Sequence, residues 1–137
     1  MKPSASVIGR TVENVSGKRV FVIDDDPAVR NSLKFSLEIE GYAVGVFSSA
    51  KEILAASDLP EKGCLLIDYG LPDMTGLDLL DRLRKRGVGL PAVLITSNPG
   101  PILRFRASEV GVPIVEKPLL GNSLAEAIRN AFGARPA

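Results

Sequence analysis

Short apolar runs alternate with longer segments of helical periodicity from residue 18 onward. Apolar runs at 20–24, 42–47, 64–68, 92–96 and 112–116 predict five β-strands. The first, third and fourth runs are apolar on both faces, which is typical of buried parallel strands. Between the runs, apolar residues recur at the spacing of amphipathic helices. This alternation predicts an α/β fold, a doubly wound parallel sheet with helices on both faces.

Local patterns predict where several helices begin. Asp26 precedes Pro27, which places a side-chain acceptor at the N-cap and a proline in the first turn. The pattern of a serine or threonine followed three residues later by an acid predicts further N-caps at Ser49, Thr75 and Ser123.

The segment 97–111 predicts an atypical fourth helix. Pro99, Gly100 and Pro101 are expected to delay helix formation. The helix is therefore expected to be short or distorted, to run from about residue 101 to residue 110, and to be followed by Gly111.

A proline in the last apolar run indicates the topology of the sheet. Pro113 lacks the N–H group that a central strand needs, so the fifth strand is predicted to lie at an edge. The flavodoxin-like strand order 2-1-3-4-5 satisfies this condition. The same order brings the carboxyl ends of strands one and three together, at the position where such sheets bind ligands.

The composition indicates a folded protein, and its positive and negative charges nearly balance. The 137 residues are 45% hydrophobic, enough for the core of one domain, which we predict over 18–133 between tails at 1–17 and 134–137. The net charge of +1 gives no attraction to nucleic acid or to an anionic membrane. The single cysteine, Cys64, lies in an apolar run and is predicted to be a buried thiol.

The sequence also carries an expectation about location. The first residues lack the apolar segment of a signal peptide, and no stretch reaches the roughly 18 apolar residues of a membrane span. We therefore expect a soluble, cytoplasmic protein that contacts no membrane.

Chemically useful side chains stand where the predicted strands end. Asp24 and Asp25 follow the first strand, Asp68 ends the third, Thr96 ends the fourth and Lys117 follows the fifth. In a parallel sheet these ends share one edge. Three neighbouring carboxylates repel one another unless a cation lies among them, and oxygen ligands of this kind suit Mg²⁺.

At these positions the sequence resembles the receiver domains of two-component response regulators. The resemblance covers residues 18 to about 133 and depends on VIDDD at 22–26, LLIDYGLPDMTG at 65–76, VLITS at 93–97 and EKP at 116–118. It implies that Asp68 is the phosphoacceptor and that Mg²⁺ is held by Asp24, Asp25, Asp68 and the backbone carbonyl of Gly70. It also implies that Thr96 and Lys117 contact the phosphoryl oxygens, and that the Lys117–Pro118 peptide bond is cis.

The resemblance further implies the partners. The phosphoryl group would come from a sensor histidine kinase or a phosphotransfer protein, and the phosphorylated domain would bind a downstream protein rather than nucleic acid. No enzymatic activity is expected beyond self-catalysed phosphoryl acceptance and slow autodephosphorylation.

Two other functions remain open at the level of the sequence. A phosphatase of the haloacid dehalogenase type also uses an aspartate nucleophile and Mg²⁺, and the acids at 24–26 contain its D-x-D pattern. However, Ala28 stands where that pattern has threonine or valine, and no aspartate follows Asp81 to complete the metal site. The other alternative is a receiver-shaped interaction module that is never phosphorylated.

Other charged residues near these motifs are expected to be structural. Asp26 is predicted to cap the first helix, and Asp73 is predicted to lie in a turn shaped by Pro72, with Gly76 allowing close approach of the chain. A run of basic residues is predicted to be the solvated end of a helix and not a nucleic-acid site; it comprises Arg82, Arg84, Lys85 and Arg86.

The sequence departs from the receiver pattern where the signal is usually read out. The family has an aromatic residue three positions before the lysine, and Ile114 stands there. We therefore hypothesise that activation acts on residues 97–111 and exposes or hides Ile102 and Phe105. Only five residues follow Phe132, so no output domain is expected in this chain.

Overall fold

The computed structural model describes residues 17–56, 58–119 and 121–133, so the predicted tail at 134–137 and nearly all of the tail at 1–17 lie outside the described residues. The strands are β1 (Arg19–Ile23), β2 (Ala43–Phe47), β3 (Cys64–Asp68), β4 (Ala92–Thr96) and β5 (Ile114–Glu116). The helices are α1 (Pro27–Ile39), α2 (Ala50–Leu54), α3 (Gly76–Lys85), α4 (Pro101–Glu109) and α5 (Ser123–Gly133).

All strand pairs are parallel, and the order β2-β1-β3-β4-β5 confirms the predicted flavodoxin-like topology. The sheet separates two apolar cores, one under α1 and α5 and the other under α2 and α3. Because both faces are covered, every residue of β3 and β4 is buried. These two strands have the predicted bounds, since a strand buried on both faces is a continuous apolar run.

Two of the three capping predictions made from the serine or threonine pattern are confirmed, as is the cap at Asp26. The Asp26 side chain accepts from the Ala28 amide at 2.9 Å. Ser49 Oγ and Thr75 Oγ1 each accept from an amide three residues later at 3.1 Å. The prediction for Ser123 is wrong, because the helix already includes this residue and the Glu126 amide donates to the carbonyl of Asn122.

The fourth helix is short and has the predicted start, at residue 101. It begins at Pro101, with extended backbone at Gly100 and a regular bond from the Arg104 amide to the Gly100 carbonyl at 3.0 Å. A proline in the first turn needs no amide partner and its fixed φ suits a helix, so Pro101 starts the helix. The helix buries only Ala107.

The fifth strand lies at the edge, as predicted, but it begins at Ile114 and not at residue 112. The Val112 amide donates to the Ala107 carbonyl at 2.9 Å and so belongs to the end of α4. Pro113 has no amide to donate, although its carbonyl accepts from the Leu94 amide at 2.9 Å.

Cys64 is fully buried, as predicted, and burial raises the pKa of its thiol to about 12. The basic run is exposed, as predicted, yet Arg86 also donates to the carbonyls of Leu54 and Ala56 at the end of α2. Among the described residues, no helix is both long enough and apolar enough to cross a bilayer.

Candidate functional site

Three carboxylates meet at the carboxyl edge of the sheet. Asp24 and Asp25 follow β1, and Asp68 ends the neighbouring strand β3, where Ile23 and Ile67 are paired in register. Oxygen atoms of the three side chains all lie within 4.8 Å of one another. Asp24 and Asp68 are buried, whereas Asp25 is exposed to solvent. The structure thus brings together the three acids that the sequence placed at one edge.

Asp24 is the most buried of the three carboxylates, with 1% of its surface exposed. Its Oδ1 atom accepts from the Asp26 amide at 2.9 Å. Its Oδ2 atom is buried without a hydrogen-bond partner and lies 3.8 Å from Lys117 Nζ, which is beyond hydrogen-bond distance. Burial raises the pKa of Asp24, and repulsion from Asp68 adds to the rise although the Asp26 amide opposes it. This oxygen is therefore free to bind a cation.

Lys117 supplies the positive charge of the site. Its Nζ atom lies 3.1 Å from Asp68 Oδ1. Burial opposes the lysine charge, but the hydrogen bond and the attraction to Asp68 outweigh it and raise the pKa of Lys117. The peptide bond between Lys117 and Pro118 is cis, as predicted.

The charges of the cluster fit a divalent cation. Three ionised carboxylates against one ammonium group leave an excess of two negative charges. All candidate ligand atoms are carboxylate oxygens, and one of them, Asp24 Oδ2, is buried without a hydrogen-bond partner. Hard oxygen ligands favour Mg²⁺ over softer metals. The residues present therefore fit the predicted metal.

Thr96 and Gly70 border the cluster. Thr96 ends β4, which pairs with β3 through Asp68 and Ile95, and it is buried. Its hydroxyl donates to the carbonyl of Ser97 at 3.3 Å. Gly70 is exposed in the turn just after β3, and the Gly76 amide closes this turn by donating to the Tyr69 carbonyl at 2.8 Å.

Two contacts around the cluster were not predicted from the sequence. The Arg30 guanidinium donates to the carbonyl of Asp24 at 2.9 Å. Asp73, expected only to lie in a turn, accepts from the amides of Ala50 and Lys51 at 3.2 and 2.8 Å. The amide of Lys51 in particular lowers the pKa of Asp73. No local pattern signals the Asp73 contact, because its partners lie more than twenty residues earlier in the chain.

The buried carboxylate of Asp24 leads to a prediction about stability. Because the pKa of Asp24 is raised in the folded state, the ionised carboxylate at neutral pH destabilises the folded protein relative to the unfolded chain. Asp24→Asn removes this charge and is expected to increase the free energy of unfolding in a chelator by about 1 kcal/mol. We also expect Mg²⁺ to stabilise the wild type and the same change to abolish this stabilisation.

Urea unfolding with a chelator and with Mg²⁺ measures both effects. Asp25→Asn is the control, since its carboxylate is exposed and its loss is expected to change only the Mg²⁺ effect. A decrease in the stability of Asp24→Asn in the chelator would contradict the expectation.

Comparisons with known proteins give the relatives of this chain. A profile of the response regulator receiver domain matches residues 20–129. The transcriptional regulatory protein FixJ of Azorhizobium caulinodans is 36% identical over 115 residues, which are 83% of this chain and 54% of that protein. FixJ of Rhizobium meliloti is 34% identical over 82% of this chain and 55% of that protein. The chain therefore spans about half the length of these curated relatives.

Solved structures give the same result. The crystal structure of FixJ-N superposes with a TM-score of 0.78 at 33% identity, and the match covers 89% of this chain and 98% of that one. A CheY-like receiver domain protein of Methanospirillum hungatei superposes with a TM-score of 0.76 at 30% identity, over 86% of this chain and 95% of that one. The haloacid dehalogenase alternative is not favoured by these matches. The chain belongs to the response regulator receiver domain family.

Proposed function

We propose that Asp68 accepts a phosphoryl group in a two-component phosphorelay and that its phosphorylation changes the binding of a downstream protein. One observation carries the proposal: the buried Asp68 carboxylate lies within 4.8 Å of two further carboxylates and 3.1 Å from Lys117 Nζ. This arrangement combines a nucleophile, a set of metal ligands and a fixed cation in one small site. A receiver-shaped module that is never phosphorylated would not require a nucleophile, metal ligands and a cation in the same site.

Each residue of the site has its own proposed role in phosphoryl transfer. An oxygen of Asp68 forms a bond to phosphorus, while the bond to the histidine nitrogen of a kinase, or to the acyl oxygen of a small donor, breaks and the leaving group keeps its electron pair. Lys117 is close enough to attract the oxygens of the transferred group. Thr96 can donate to the same oxygens once its hydroxyl leaves the Ser97 carbonyl.

The metal would be held by Asp24, Asp25 and Asp68, with the backbone carbonyl of Gly70 as a further ligand. Bound Mg²⁺ would neutralise the charge of the carboxylates and of the phosphoryl oxygens. Asp25 is the exposed member of this set, so the cluster is open to solvent on its side.

The proposed partners follow from this chemistry. The donor is proposed to be a histidine kinase or a phosphotransfer protein, and the reaction is proposed to take place in the cytoplasm. The protein is modified in the reaction and later hydrolyses its own acyl phosphate slowly, so it is not an enzyme that turns over an external substrate. The receiver itself is proposed to bind a protein, because its net charge of +1 gives no attraction to DNA.

The experiment that tests the function is phosphorylation by acetyl phosphate, followed by intact mass spectrometry. The expected result is a gain of one phosphoryl group in the presence of Mg²⁺ and none in the presence of a chelator. No gain under either condition, or the same gain under both, would show that the proposed function is wrong.

The readout is proposed to pass through α4. Thr96 is joined to the start of this helix by the four residues 97–100, so movement of its hydroxyl away from Ser97 releases a carbonyl within that connection. Ile102 and Phe105 are already 75% and 64% exposed, so the change is one of orientation and not of uncovering. Ile114, which stands where the family has an aromatic residue, is half-buried and has no hydroxyl group, so the readout is not proposed to pass through it.

Hydrogen exchange with and without beryllofluoride checks this readout. The amides of residues 97–111 are expected to change their protection, because α4 is held by little buried surface and opens easily. Changes confined to β5, with residues 97–111 unaffected, would exclude α4 as the responsive element.

A further inference from the structure

The amides that begin α2 are all bound by side-chain oxygens, and Asp73 binds two of them. Its two carboxylate oxygens accept from the amides of Ala50 and Lys51, and Ser49 Oγ accepts from the amide of Glu52. Ser49 is the cap of its own helix, whereas Asp73 comes from the loop between β3 and α3. The Asp73 contact therefore joins two segments that are distant in sequence.

This contact lies on a closed path of bonds around the carboxylate cluster. The loop that carries Asp73 begins directly after Asp68. The helix that Asp73 binds begins three residues after Phe47, whose carbonyl accepts from the amide of Asp24 at 3.1 Å. Asp73 thus links the segment of Asp68 to the segment that holds Asp24.

The base of this loop is held by a hydrogen bond and by packing, whereas its tip is exposed. At its base, the Gly76 amide donates to the Tyr69 carbonyl, and Leu71 is buried in the core. Pro72 and Asp73 are exposed. Gly70 is also exposed, and a Cβ atom placed on it would meet nothing within 4 Å, so this side of the residue faces open space. The two hydrogen bonds of Asp73 therefore hold the exposed part of this loop.

We propose that Asp73 is a positioning residue for the metal site, which it keeps in shape by binding the loop of Gly70 to the first amides of α2. The proposal depends on the metal site of the proposed function. Asp73 is not itself a ligand; it acts through the Gly70 carbonyl and through the spacing between the Asp24 and Asp68 segments. Residues that orient the ligands of a metal affect its affinity although they do not touch it.

The test is the dissociation constant of Mg²⁺ alone, measured on the full chain by calorimetric titration. Asp73→Ala is expected to weaken Mg²⁺ binding about tenfold. Asp73→Asn keeps one oxygen that accepts an amide and is expected to retain much of the wild-type affinity. Ser49→Ala is the matched control, since it also removes a cap from α2 but leaves the loop bound. Both alanine variants lose stability, and only Asp73→Ala is expected to lose affinity.

Three results of the titrations would overturn the proposal. Wild-type affinity in Asp73→Ala, or equal weakening in Ser49→Ala, would show that Asp73 only stabilises the helix. Equal weakening in Asp73→Asn and Asp73→Ala would show that the charge of Asp73 acts and not its hydrogen bonds.

Phosphorylation of the wild type is measured separately, to distinguish failure of this proposal from failure of the proposed function. If the wild type gains phosphate while Asp73→Ala binds Mg²⁺ normally, the positioning role fails alone. If the wild type gains none while the affinities differ as expected, only the proposed function fails.

Discussion

Asp68→Asn is expected to abolish phosphorylation by acetyl phosphate. The amide oxygen of asparagine is a far weaker nucleophile than a carboxylate, and no other described carboxylate is both buried and bonded to Lys117 as Asp68 is. Asparagine is close to aspartate in shape and retains an oxygen that Lys117 can bind, so the fold is expected to persist. Intact mass spectrometry measures the gain of phosphate, and circular dichroism checks the fold.

Asp25→Asn is the control for this variant. It removes a proposed metal ligand but leaves the nucleophile in place, so its phosphorylation is expected to be slow at low Mg²⁺ and to recover as Mg²⁺ is raised. Asp68→Asn is expected to stay unmodified at every Mg²⁺ concentration. A gain of one phosphoryl group by Asp68→Asn at the wild-type rate would remove Asp68 from its assigned role.

Gly76→Ala is expected to lower the free energy of unfolding by about 2 kcal/mol. A Cβ atom at this position would lie 2.8 Å from Leu94 Cδ1, 2.9 Å from the carbonyl oxygen of Asp68 and 3.0 Å from Ile67 Cγ2. Contacts this short do not persist, and all three neighbours are fixed in buried strands. Elsewhere in a helix the same substitution is stabilising, by about 1 kcal/mol.

Gly89→Ala is the matched control, because a Cβ atom at Gly89 would meet nothing within 4 Å. Urea unfolding of the two variants measures the difference. Since the Gly76 substitution pushes on the carbonyl of Asp68, we also expect it to slow phosphorylation. Equal free energies of unfolding for the two variants would contradict the expectation, because they would mean that the strand shifts at Asp68 without loss of stability.

Strands three and four and the first helix could be predicted to the residue or nearly so, because their determinants are local. Burial on both faces makes β3 and β4 continuous apolar runs, and Asp26 and Pro27 mark the start of α1 through groups that are adjacent in sequence. The close approach expected at Gly76 is also confirmed. The carboxylate cluster could be predicted because parallel strands deliver their ends to one edge.

The remaining features depend on context that a local pattern does not contain. Helix α4 begins at residue 101 as expected, but Pro101 does not hinder it, because this proline occupies the first turn, where proline favours a helix. The cap predicted at Ser123 is wrong by one residue, since the chain enters α5 earlier than the capping pattern indicates. The binding of Asp73 to α2 and of Arg30 to the Asp24 carbonyl required the three-dimensional structure.

The sparse anchoring of α4 affects how this protein can evolve. Only Ala107 of its nine residues is buried, and the pair between Arg104 and Glu116 is exposed. Exposed positions tolerate substitution with small changes in stability, usually within about 0.5 kcal/mol. By contrast, the acids and the lysine at the strand ends constrain one another in charge and distance. Duplicated copies of such a gene can therefore acquire new partners by changing α4 while the phosphorylation chemistry is inherited intact.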